Sequence, residues 1–152
     1  SLAFLSAMTL GRPITAMRAW DTIRCIDYLQ TRSDVGRIHL VGKGSLSAAM
    51  TALLAAALDR RASSVQLSAL PATLRVPMED ESTDELYLPN ILKVADIPNL
   101  AALIAPRPLH IQALLADDLH PLPETASREM FQFAFRVYEL MGAANALMVG
   151  QG

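Results

Sequence analysis

Cysteine is almost absent from this sequence: Cys25 is the only one, so no intrachain disulfide can form. One thiol identifies no compartment, and localisation stays unknown. Aromatic residues make up 5% and charged residues 18%, the latter below the usual quarter. With a net charge of −2 and no basic face interleaved with aromatics, nucleic-acid binding finds little support. No apolar run reaches the ~18 residues of a membrane span, because Arg60 and Arg61 close the longest one. There is no internal repeat, no low-complexity tract and no linker. What is present is a 152-residue chain, 52% hydrophobic, long enough for one domain with a real core. Its apolar excess fits burial inside a larger assembly. It begins at Ser1 with neither an initiator Met nor a signal-peptide pattern, and is expected to be a piece of something longer.

Along the chain, apolar spacing predicts a helix over Ile14 to Gln30, with Met17, Trp20, Ile23, Ile26, Tyr28 and Leu29 largely on one side. Cys25 falls in this helix and is assigned to core packing. Ile38 to Val41 reads as a strand and Leu46 to Leu58 as a helix rich in small residues. Val65 to Leu70 is a second strand. Pro71 to Asn90 is a polar excursion, Pro98 opens a short helix, and Pro106 stops it. Leu109 to Leu114 is a third strand. Glu124 to Met141 is one long helix, with Met130, Phe131, Ala134, Val137, Tyr138 and Met141 on its apolar face and Gly142 at its end. Asn145 to Val149 is a last strand. Strands alternating with helices imply an α/β fold: three layers, with helices on both faces of a mostly parallel sheet.

The segment Arg37-Ile38-His39-Leu40-Val41-Gly42-Lys43-Gly44-Ser45-Leu46-Ser47 carries the strongest functional signal. A strand runs into a tight glycine turn that opens directly into a helix. A phosphate-binding P-loop fails on spacing, since no glycine stands five residues before Gly42 and Gly44 replaces the Ser or Thr after Lys43. A dinucleotide fingerprint fits Gly42, Gly44 and Ser47 in part, but the strand ending Ser68-Ala69-Leu70 offers no acid for a ribose. The remaining layout is a nucleophile elbow, whose apex residue is forced toward positive φ between small neighbours. Centred on Gly44, the residue two before is Gly42, which suits, and the residue two after is Leu46, which is large. Centred on Ser45, Lys43 and Ser47 take those places. Glycine is also the residue that positive φ costs least. Gly44 is therefore the favoured apex, with Ser45 as the cap of the following helix; Ser45 as a nucleophile is the alternative.

Other candidates are weaker. Glu79, Asp80, Glu81, Asp84 and Glu85 could hold a hard cation but lack a spaced ligand pattern, and read as a solvated, mobile loop. Asp117 and Asp118 follow a strand in a turn, where a catalytic acid or an ordinary polar loop would equally stand. His39 and His110 lie within strands and read as structural, and His120 as exposed loop. No cofactor and no metal site is assigned.

Taken together the chain resembles an α/β-hydrolase, and more narrowly the acetyl xylan esterase-like branch. The segments carrying the resemblance are Leu10-Gly11-Arg12-Pro13 with Met17-Arg18-Ala19-Trp20-Asp21, then Asp27-Tyr28-Leu29 and Ile38 to Gly44. Leu88-Pro89-Asn90-Ile91-Leu92-Lys93, Asp96-Ile97-Pro98-Asn99-Leu100, Ala105-Pro106-Arg107-Pro108-Leu109 and Ala116-Asp117-Asp118 complete the set. The resemblance implies that residues 1–152 form one domain, the C-terminal portion of the family's fold. By resemblance the nucleophile position falls on Gly44 and the acid on Asp117 or Asp118, while the His is expected just beyond Gly152.

The implied reading is an esterase-related domain that is catalytically inactive, because its elbow apex is glycine and its His is missing. One alternative is a non-catalytic carbohydrate-binding or assembly module on the same fold. Another is an active carboxylic ester hydrolase using Ser45, with a His supplied from outside the chain. A carbohydrate or an acyl ester is the ligand these readings imply. The strand Ile38 to Val41 is expected to lack a neighbour on one side, so the chain should pair with its own copy or with a missing N-terminal half. The apolar lead Leu2 to Met8 is the segment most available for exchange.

Overall fold

The computed structural model of the chain describes residues 2–76 and 81–150. It contains the helices α1 (Leu2–Thr9), α2 (Ile14–Gln30), α3 (Leu46–Leu58), α4 (Glu81–Asp84), α5 (Ile97–Ala102), α6 (Glu124–Met130) and α7 (Gln132–Leu140). Its strands are β1 (His39–Gly42), β2 (Ser64–Leu67), β3 (Leu70–Pro71), β4 (Leu109–Ile111), β5 (Leu114–Leu115) and β6 (Leu147–Val149). Four strands form one parallel sheet in the order β1-β2-β4-β6. The fold is α/β with a mostly parallel sheet, as expected.

Two expected strands stop early for one shared reason. The chain leaves β2 through Ala69 at φ 56°, and β4 ends at Ile111. Both then resume one level higher as β3 and β5, a two-stranded parallel ribbon with Leu70 beside Leu114. The sheet thus sheds two strands above its carboxyl edge, which carries the loop after β5 outward. The long helix expected over Glu124 to Met141 is also divided: Phe131, at φ −93° and ψ 9°, separates α6 from α7. Phe131, Ala134 and Tyr138 are fully buried as expected, whereas Met130 and Met141 face outward.

Helices were expected on both faces of the sheet; α3, α5 and α7, with α2 beside α3, form the layer on one of them. Strand order rises monotonically from β1 to β6, and parallel crossovers are right-handed, so every connecting helix must fall on the same side. Accordingly α2 packs on α3, α3 on α5, and α5 on α7. Register shows the consequence. Leu40, Val65, Leu109 and Leu147 lie abreast under the helices, as do Gly42, Leu67, Ile111 and Val149. The alternate row, Val41, Gln66, His110 and Met148, faces the other way, with Val41 53% and Met148 43% exposed. A crossover helix on the second face would require strand order to reverse, which it does not do within these residues.

Side-chain assignments in α2 also differ. Its buried stripe is Thr15, Ala19, Ile23 and Ile26, small enough at Thr15 and Ala19 for close approach to α3. Trp20 is 59% exposed with the Arg24 guanidinium stacked 4.4 Å from its ring centroid, and Met17, Tyr28 and Cys25 are exposed too. α1 is a helix with Leu2 and Leu5 outward, Ala7 buried, and Phe4 set edge-on to Tyr87. No described helix is long and apolar enough to cross a membrane.

Candidate functional site

β1 delivers the chain to Gly42, and α3 begins four residues later at Leu46. Gly44 takes φ +90°, the left-handed conformation expected of an elbow apex, while Ser45 has returned to extended backbone at φ −157°. A Cβ at Gly44 would meet nothing within 4 Å, so conformation rather than space favours glycine there. The Ser45 hydroxyl accepts a hydrogen bond from the Ala48 amide at 3.1 Å and caps α3. It thereby satisfies one of the four amides that a helix start leaves without partners.

Beside the turn lies a cleft of about 490 Å³ whose lining includes Arg18, Thr22, Ser45, Ser47 and Thr51. Arg18, from the first turns of α2, donates to the Ser47 hydroxyl and to Glu85, its Nη2 standing 3.1 Å from Oε1. The Thr15 hydroxyl donates to the Glu85 carbonyl. Hydrogen bonds from Arg18 hold the Glu85 carboxyl below the usual carboxylate range, against partial burial and with help from Ser47. The cation at the start of α3 is thus already matched by Glu85. Among the described residues, the buried Thr51 hydroxyl has no hydrogen-bond partner. The lining offers hydroxyls and a guanidinium but no histidine that could act as a base. Sequence reasoning missed this cluster, because residues 18, 47 and 85 carry no local pattern linking them. Glu85, read as part of a solvated loop, is tied to α2; Glu79 and Asp80 lie outside the described residues.

Asp117 and Asp118 occur in the loop after β5, closed by an antiparallel bridge between Leu115 and Pro121. Asp118 accepts from the His120 amide at 3.0 Å, and its other carboxylate oxygen is 3.4 Å from His120 Nδ1; both side chains are exposed. These acids and Gly44 all follow the carboxyl ends of strands. However, β2 stands between β1 and β4, and adjacent strands are ~4.8 Å apart, so the two loops spring from positions two strands apart. Neither Asp117 nor Asp118 lines the cleft beside the β1–α3 turn. His39 contacts Ser64 at 2.7 Å through Nδ1, at the opposite, amino end of β1. Among the described residues, no cluster of three His, Cys, Asp or Glu side chains could hold a metal ion.

No protein-family model and no curated protein matches the sequence. Among solved structures, the chain is similar to a candidate acetyl xylan esterase from Bacteroides fragilis NCTC 9343, with a TM-score of 0.77 at 12% identity. The match covers 99% of this chain and 39% of that protein. At such identity the likeness is one of fold: the chain shares a distant structural relationship with an esterase-like α/β protein and spans well under half its length.

Proposed function

We propose that this chain is an esterase-related α/β-hydrolase-like domain that does not hydrolyse esters. One observation carries the reading: the apex of the elbow is Gly44, and the nearest hydroxyl, Ser45, is spent as a helix cap. Covalent acyl transfer needs an apex nucleophile within hydrogen-bond reach of a base. A serine already accepting the Ala48 amide, with no histidine lining its cleft, meets neither requirement. In this reading Asp117 and Asp118 mark where the fold keeps its acid. With p-nitrophenyl acetate, turnover is expected at the buffer rate. Ser45→Ala should leave that rate unchanged while lowering stability by about 1 kcal/mol through loss of the cap. Hydrolysis that Ser45→Ala abolishes would instead establish the active-esterase reading, with a base from outside this chain.

A second reading, a non-catalytic assembly module, is favoured by the edge of the sheet. The Gly42 carbonyl accepts from Ser68 on the β2 side, so by alternation the N–H and C=O groups of His39 and Val41 point away from β2. Among the described residues no strand pairs with that edge. Exposed edges of this kind recruit another strand, and Val41 adds apolar side-chain area beside it. The chain should therefore associate, with its own copy or with further polypeptide of the same fold. Sedimentation across a dilution series should show association at low micromolar concentration, and Val41→Lys should weaken it at least tenfold. A soluble monomer throughout, indifferent to Val41→Lys, would remove the assembly reading and leave the catalytic one untouched.

A further inference from the structure

We draw no further inference here: the strongest candidate, the cleft between α2, the edge of β1 and the start of α3, belongs to the site already described, its Arg18 guanidinium is already matched by Glu85, and nothing in the structure shows what would cover it.

Discussion

Gly42→Ala should cost this chain about 3 kcal/mol, the upper end of what overpacking usually costs and a large share of the about 5–15 kcal/mol of a typical domain. A Cβ at residue 42 would stand 2.6 Å from the Ala48 carbonyl oxygen, 2.8 Å from the Ala49 Cα and 2.9 Å from the Ala52 Cβ. Two of these three atoms are backbone, so no rotamer change relieves them. Helix α3 would have to lift from β1, and with it the layer formed by Ala49, Met50, Leu53 and Ala56, all fully buried. Gly44 provides the internal control two residues away. Its surroundings are open, so Gly44→Ala meets only the backbone strain of a positive φ, about 1–2 kcal/mol. Urea unfolding of the two variants side by side should place the Gly42→Ala midpoint clearly below that of Gly44→Ala. Equal midpoints would mean that α3 does not sit on β1 as described. The comparison also separates two meanings of a glycine-rich turn: Gly42 is required by packing, Gly44 by conformation.

The second large effect is expected at Arg107, far from any candidate site. Its guanidinium donates to the carbonyls of Ala56 at 2.6 Å, Asp59 at 3.0 Å and Ala62 at 3.3 Å, and its Nε to Ile104 at 3.1 Å. The first three carbonyls lie at and just beyond the end of α3, and that of Ile104 just beyond α5, where the last carbonyls have no partner within the helix. A cation there also opposes the helix dipole favourably. The fully buried Tyr138 completes the unit by donating to the Arg107 carbonyl at 2.9 Å, and burial pushes its hydroxyl well above the usual tyrosine range. Removing the guanidinium leaves several carbonyls unsatisfied at about 1–3 kcal/mol each where buried. Arg107→Met is thus expected to lose 3 kcal/mol or more (order of magnitude) in thermal or urea unfolding. Arg107→Lys should recover less than half of that, since one ammonium cannot reach four carbonyls in a planar fork. A cost below about 1 kcal/mol for Arg107→Met would show that water serves those carbonyls equally well.

Local patterns in the sequence were legible where local physics decides them. The ends of α2 and α3 fall where spacing and capping residues put them, and Ser45 caps α3 because its hydroxyl is placed to accept the Ala48 amide. The positive φ of Gly44 follows from a strand turning into a helix within four residues. Less legible were the side-chain destinations. Met17, Trp20 and Tyr28 share a helical side with Ile23 and Ile26 in spacing, yet the stripe that is buried runs through Thr15 and Ala19. The reason is that α2 packs on another helix made of small residues, where close approach rather than bulk is selected. Ala69 and Phe131 interrupt segments whose hydrophobic pattern runs on, because the backbone there answers to neighbouring strands and the core.

By itself the sequence determined the class of fold, the parallel strands, and the glycine turn that joins β1 to α3 with Gly44 at positive φ. These depend on periodicity, glycine placement and capping, all of which act over a few residues. Only the tertiary structure decided that α3, α5 and α7 form a layer on one face, and that Arg18 reaches both Ser47 and Glu85. It alone decided that Arg107 gathers carbonyls from two separate stretches, the end of α3 and the end of α5. Strand order and the meeting of residues 29, 51 or 67 positions apart are set by how crossovers close on the sheet, and no local pattern encodes them.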